Sequence, residues 1–229
     1  MNAVPAADSL TRSVEDYLKA IYRLSPGGEP AATSEIAHLL DLSAPSVSGM
    51  IKRLSEQGLL EHAPYRGVSL TAEGRRVALR MVRRHRVIES YLVGWLGYSW
   101  DAVHDEAERL EHAVSDELIE RMAASLGNPG VDPHGDPIPT AEGDVAEVVS
   151  TPLAELPVGT TVAIVRVHAA DAERLRYLAE LGLKPGAVVS VADRRPFRGP
   201  ITVSTPAGDR VLSVEMAADL LCVRQEESA

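Results

Sequence analysis

The sequence predicts a mainly α-helical chain closed by a β-rich C-terminal part, and three features carry that expectation. Apolar residues recur at helical spacing in successive segments between residues 13 and 126. Two short β-rich stretches, LLEHA and GVSL, interrupt them after the third segment, and Val-rich stretches fill the chain beyond residue 157. Three helices followed by a β-hairpin form a winged helix-turn-helix pattern.

In order, Ser13–Leu24 places Val14, Tyr17, Leu18, Ile21, Tyr22 and Leu24 at helical spacing, with Ser13 as N-cap and Pro26-Gly27-Gly28 as the stop. A second helix fits Thr33 or Ser34 to Leu40, with Ile36, Ala37, Leu39 and Leu40 inward. A third follows Ser43, carries Pro45 in its first turn and runs to about Glu56. The β-rich pair turns around Tyr65-Arg66-Gly67, and Thr71 caps a long helix to about Leu96. Two further helices fit WDAVHDEAERLEHAV and, capped by Ser115, DELIERMAASL. Residues 127–150 hold four Pro and four Gly and read as an extended connector. The Val-rich strands beyond, with one short helix at Ala172–Leu181, suggest a small β-barrel.

The 229 residues carry a net charge of −10, which on totals argues against nucleic acid as a partner. The charge is uneven, however. Residues 1–86 hold 12 basic and 9 acidic side chains, a balance of +3, and the remainder holds 11 and 24, a balance of −13. One cysteine, Cys222, excludes an internal disulfide framework and a cysteine-based zinc site. No apolar run approaches the roughly 20 residues of a membrane helix, so the expectation is a soluble cytoplasmic protein with no membrane partner.

The third helix segregates its residues. Val47, Met50, Ile51 and Leu54 share one face, and Ser43, Ser46, Ser48, Gly49, Lys52 and Arg53 share the other. Small hydroxyls let a helix sit deep in the major groove, while cations neutralise phosphates. Arg66 at the hairpin tip is placed as a wing contact. Alone, this helix reads equally well as an ordinary amphipathic one; the preceding short helix, the Asp41-Leu42-Ser43 turn and the wing favour DNA. Arg75, Arg76, Arg80, Arg83, Arg84 and Arg86 read as a solvated face.

A second signal is His104-Asp105-Glu106-Ala107-Glu108-Arg109-Leu110-Glu111-His112. At about 100° per residue, His104, Glu108, Glu111 and His112 fall within an arc of roughly 100° on one helix. Imidazoles and carboxylates together suit a divalent first-row metal. His85 and Glu89, four apart on the preceding helix, add two more such groups. A single His on a helix, or one Glu/His pair, is more often plain helix chemistry; six such residues on adjacent helices are not.

With EDYLKAIYRL, SAPSVSGMIKRL, LTAEGRR, RRHRVIESYL, VHDEAERLEHAVSDELIERM and HGDPIP in this order, the whole chain resembles the diphtheria-toxin-repressor family of metal-dependent transcriptional regulators. The resemblance implies a winged-helix DNA-binding domain over 1–74, a helical dimerisation and metal-binding domain over 75–143, and an SH3-like β-barrel over 144–229. It implies a primary metal site of Asp16, Glu108, Glu111 and His112, and an ancillary site of His85, Glu89 and His104 completed from the barrel by Asp171 or Glu173. It adds Thr33, Ser34 and Pro45 to the DNA-facing residues. It also implies a homodimer, with Ile88, Tyr91, Leu92, Trp95 and Leu118 as contacts, bound to double-stranded operator DNA.

In the family, iron-responsive members place Met and Cys where this chain has Asp16 and Glu108, and manganese-responsive members place Asp and Glu. The resemblance therefore implies Mn²⁺, with Fe²⁺ second and Co²⁺, Zn²⁺ or Cd²⁺ as substitutes; oxygen-rich ligands suit the hard Mn²⁺ ion. Two positions depart from the pattern. Lys19 stands near where some manganese regulators carry a further Glu, which favours separated sites over a binuclear one, and Gly49 stands where relatives carry a longer base-reading side chain. A metal-dependent hydrolase is the enzymatic alternative, but H-E-x-x-H is missing and no nucleophile is evident. A metal-independent scaffold whose barrel takes Pro-rich peptides is the other, and Tyr177 and Phe197 are too few aromatics for such a groove.

Overall fold

A computed structural model describes residues 10–25, 27–63, 66–168 and 171–224; Pro26 and Tyr65, placed above in a helix stop and a hairpin tip, lie outside them. Packing divides the chain into two units. The first comprises Met1–His85, Glu111–Val114 and Pro139–Asp144, and the second Arg86–Leu110, Ser115–Ile138 and Val145–Ala229.

The first unit holds α1 (Arg12–Leu24), α2 (Thr33–Leu39), α3 (Ala44–Glu56), β1 (Leu60–Ala63), β2 (Gly67–Leu70) and the start of α4 (Ala72–Leu96). Thr11, not Ser13, takes the N-cap position of α1, and no side chain caps it. The short α2 buries Ile36 and Ala37 but leaves Leu39 outward, contrary to the apolar pattern; two turns present only one narrow face. Ser43 caps α3 by accepting from the Ser46 amide at 3.4 Å. The antiparallel wing pairs Leu60 with Leu70 and Ala63 with Gly67, and Ala31 adds a bridge to Val68. Tyr17, Leu18, Ile21, Ile36, Val47, Ile51, Leu54 and Val68 form the core of this unit. Thr71 caps α4 by accepting from the Gly74 amide at 3.1 Å. Gly74 is required because a Cβ there would lie 2.0 Å from the Leu59 carbonyl oxygen.

The second unit holds the remainder of α4, α5 (Val103–Leu110), α6 (Asp116–Ser125) and an antiparallel six-stranded sheet. Its strands are β3 (Thr151–Pro152), β4 (Thr161–Val167), β5 (Val188–Arg194), β6 (Ile201–Thr205), β7 (Gly208–Leu212) and β8 (Leu220–Arg224), in the order β3-β8-β4-β5-β6-β7. Helices α7 (Ala172–Glu180) and α8 (Val214–Ala218) accompany them. Val162, Ile164, Leu178, Val191, Val203, Leu220 and Cys222 are buried with Trp100 in one core. Burial pushes the Cys222 thiol up to about 12, so this cysteine is packing, not chemistry. Among the described residues no helix is long and apolar enough to cross a membrane.

Part of the expected connector is a compact turn instead. Oδ1 of Asp132 accepts from the amides of His134 (2.8 Å) and Asp136 (2.9 Å), and Asp132, His134 and Ile138 are buried. The turn seats on β4 where a register shift between Ile164 and Arg166 interrupts pairing with β8. There the Val167 amide donates to the His134 carbonyl at 2.8 Å. Gly135, at φ +88°, approaches so closely that a Cβ would lie 1.9 Å from the Val165 oxygen. Composition signalled the loop but not this docking.

Gly135→Ala should therefore destabilise the protein by about 2–4 kcal/mol in urea melts, through backbone strain and collision. Gly130→Ala, with open space around it, should stay within about 0.5 kcal/mol. Equal effects of the two changes would contradict the close packing of this turn.

Candidate metal centre and DNA-facing surface

Within the first unit, α1 presents Glu15, Asp16 and Lys19 toward the turn that follows α5. That helix ends at Leu110, so Glu111 and His112 stand on the turn beyond it; only His104 and Glu108 of the expected helical arc are on the helix. His112 Nδ1 lies 2.7 Å from Glu15 Oε2, and its Nε2 lies 2.8 Å from Asp16 Oδ1 and 3.5 Å from Glu111 Oε1. Asp16, Glu111 and His112 thus converge as three ligand-type groups. The buried Nε2 makes no acceptable hydrogen bond despite those oxygens. A nitrogen left this way between two carboxylates fits a divalent cation, and two oxygens with one imidazole are hard-to-borderline donors. Glu15, which the sequence reading left out, fixes the ring by taking its other nitrogen.

Glu111 has no accessible side-chain surface. Both its oxygens lie 2.7 Å from Lys19 Nζ, Oε2 lies 2.5 Å from His85 Nδ1, and its backbone oxygen accepts from Arg84 at 3.4 Å. Through Nδ1, His85 is thus a partner of Glu111.

In the second unit His104 bridges two carboxylates. Its Nδ1 lies 3.1 Å from Glu89 Oε1 and its Nε2 lies 3.6 Å from Glu108 Oε1. The other oxygen of Glu89 faces His134 Nδ1 at 3.8 Å. Glu89, Asp132 and His134, all buried, form another three-ligand group. Asp171 and Glu173 join no such group among the described residues. Asp171 instead caps α7, accepting from the Arg174 amide at 2.7 Å, and Glu173 sits exposed in its first turn. The acid that accompanies Glu89 comes from the Asp132 turn, not from the barrel helix, because that turn is pinned against β4. The HGDPIP motif was the only sequence signal for it.

Electrostatics mark this second group as strained. Burial, then the nearby Asp136 and Glu89, push the Asp132 carboxyl up to about 7, against Arg86 and His134. Burial alone would lower His134, but Glu89 and Asp132 outweigh it and raise the imidazole to about 9. Its Nε2 also lies 2.7 Å from the Trp100 carbonyl oxygen. Arg86 lies 3.6 Å from Asp132 and 3.4 Å from Asp136, and donates to the Pro137 oxygen at 2.5 Å. Arg83 donates to the Pro139 oxygen at 2.8 Å. With Arg84 on Glu111, three arginines expected on a solvated face instead hold loop carbonyls and acids.

Of the residues expected to face DNA, Ser34, Ser43, Pro45, Ser46, Ser48, Gly49, Lys52, Arg53 and Arg66 are exposed and Thr33 is half-buried. Ser43 is engaged in its cap, and the Ser48 hydroxyl donates to the Ala44 carbonyl at 2.9 Å. Lys52 and Arg53 make no ion pair among the described residues, so their charges are available to a partner surface.

A winged helix beside a carboxylate–imidazole centre, with a β-barrel downstream, defines a metal-responsive DNA-binding regulator. Comparison with known proteins agrees: residues 9–68 match the iron dependent repressor N-terminal DNA binding domain, 71–140 its metal binding and dimerisation domain, and 151–224 the FeoA domain. The iron-dependent repressor IdeR of Mycobacterium tuberculosis is 36% identical over 225 residues, covering 92% of this chain and 96% of that protein. A solved structure described as a manganese-dependent transcriptional repressor complex with manganese is 42% identical, with a TM-score of 0.85 over 93% of this chain and 100% of that one. The structure of ScaR with bound Zn²⁺ is 32% identical, with a TM-score of 0.79 over 93% and 99%. The chain belongs to the diphtheria-toxin-repressor family of metal-dependent transcriptional repressors, which are not enzymes.

The raised imidazole gives a pH dependence with a definite sign. An unfolded histidine releases its proton near pH 6.5, whereas folded His134 holds it to about 9. That stabilisation is complete below about pH 6.5 and is lost as pH rises through about 9. Asp132 acts in the same direction between about pH 4 and 7. In chelator, the melting midpoint should fall as pH rises from 6.5 to 9, and His134→Asn should flatten that fall; a wild-type midpoint that rises across this window would refute the assignment.

Proposed function

We propose that this chain is a Mn²⁺-dependent repressor of metal-homeostasis genes, with Fe²⁺ as the second candidate ion, acting as a homodimer on a palindromic operator. The observation that carries this reading is the convergence of Asp16 and Glu111 on the Nε2 of His112, which makes no hydrogen bond of good geometry. Glu108 joins the ligand set on the family resemblance. All proposed side-chain donors are oxygen or imidazole nitrogen, the set that suits Mn²⁺ better than sulfur would. The manganese-dependent relative at 42% identity supports the same ion, and the iron-dependent relative at 36% identity keeps Fe²⁺ second. Co²⁺, Zn²⁺ and Cd²⁺ are expected to substitute in vitro.

The ancillary site is proposed to use Glu89 and His104 with Asp132 and His134. His85 is expected to contribute as well, and Asp171 and Glu173 are not needed. We take 1–74 as the DNA-reading part, 75–143 as the dimerising part and 144–229 as the barrel. Exposed Trp95 and Leu118 suit a dimer surface; Tyr91 is half-buried there, whereas Ile88 and Leu92 already lie in the protomer's own interior.

In the switch, Glu15, Asp16 and Glu111 gather three carboxylates where α1 meets the post-α5 turn. Lys19 already neutralises Glu111, so the repulsion left at that junction is between Glu15 and Asp16, and a divalent cation reverses its sign. The ion supplies charge and fixed coordination; Asp16 and His112 tie α1, and with it the DNA-reading helix, to the turn. Two recognition helices held about 34 Å apart then fit successive major grooves. Metal and DNA must strengthen each other's binding equally.

Gel-shift titration on duplexes selected from a random pool should show DNA binding that needs Mn²⁺ and is lost in chelator. Asp16→Ala and His112→Ala should lose the metal response by at least about tenfold while remaining folded dimers. Affinity indifferent to metal would sink the proposal, and a larger response to anaerobic Fe²⁺ would reassign the ion.

A further inference from the structure

Resting on that reading of the metal centre, one residue beside it has a role that the ligand set leaves unexplained. Lys19 follows Glu15 by one turn on α1, and its side chain is only 4% exposed. Lysine is among the side chains least often buried, and when buried it needs a counter-charge. Here Nζ lies 2.7 Å from each oxygen of Glu111 and 3.2 Å from His85 Nδ1. An ammonium thus stands where a carboxylate and an imidazole would otherwise hold a cation. Around it are the acids Glu15 and Asp16 of α1, His112 from the turn, His85 of α4 and, outermost, Arg12, 3.9 Å from Asp16.

We propose that Lys19 is the resident cation of this centre and sets the concentration at which metal is taken up. Without metal it holds Glu111 in place, so the ligand does not have to be recruited from solvent. With metal, Glu111 must divide its oxygens between the ammonium and the incoming ion, and the fixed positive charge lowers the affinity for a divalent cation. Lys19 is a positioning residue that trades affinity for preorganisation. It also keeps the Glu111–His85 side of the pocket filled, so one divalent ion, not two, completes the centre.

The experiment measures Mn²⁺ binding to the full chain by titration calorimetry, and melting in chelator, for wild type, Lys19→Met and Lys19→Gln. Removing the charge should tighten the first Mn²⁺ at least about tenfold. It should also lower the metal-free melting midpoint, with the difference closing when Mn²⁺ is added. A lysine with a merely structural role would weaken binding on removal, the opposite sign. Folded variants with unchanged or weaker Mn²⁺ affinity overturn the proposal. Should Lys19→Met fail to fold in chelator, Lys19→Gln, which keeps a donor toward Glu111 without the charge, is read the same way. A wild-type chain that binds no Mn²⁺, or a His112→Ala variant that binds it normally, overturns the metal centre itself and Lys19's role with it.

Discussion

The carboxylate of Glu111 has no accessible surface, and a charge so placed persists only when opposite charge and hydrogen bonds surround it. Lys19 from α1 and His85 from α4 take its two oxygens, and Arg84 takes its backbone oxygen. A short turn carried by the chain between α5 and α6 is thereby made part of the winged-helix unit. Losing one member of such a buried group costs about 3–5 kcal/mol, because the remaining charges stay behind unpaired. His112 is delivered to Asp16 and Glu15 by the same anchoring, since it is the next residue along. The convergence of Asp16, Glu111 and His112 is thus a consequence of how one buried acid is neutralised.

The second unit solves a similar problem differently. Glu89, Asp132 and His134 are buried together, with Arg86 and Asp136 around them. Protons, not a lysine, supply the missing positive charge: the imidazole and one carboxyl keep theirs well past their ordinary range. A metal at this group would have to displace protons, whereas one at Glu111 would meet the Lys19 ammonium. The two buried acid groups are thus neutralised by different means, protons in one and a fixed ammonium in the other.

Much of this was legible in the chain itself. The helical spacing in α1 and α3, the Ser43 cap, the Pro45 entry and the wing each depend on residues near one another in sequence. The DNA-facing residues expected of α3 and its Ser43 cap are all exposed, as its amphipathic split requires, whereas Thr33 of α2 is half-buried. Reading the arginines of α4 as solvated held for Arg75 and Arg76 but failed for Arg83, Arg84 and Arg86, because their partners, the carbonyls of Pro139, Glu111 and Pro137, lie far along the chain. Periodicity reports which face a residue occupies but not what will be packed against it.

By itself the sequence determined the order of elements, the exposed surface of α3 and the ligand types near residues 104–112, all set by local spacing and side-chain chemistry. Tertiary structure decided the rest. Asp132 and His134 became partners of Glu89 because a glycine turn seats on a bulged strand, and Asp171 was kept as a helix cap. Lys19 turned from an apparent departure in a motif into the counter-charge of Glu111, 92 residues away. No local pattern encodes such a pairing, since it arises only when burial forces distant charges to neutralise one another.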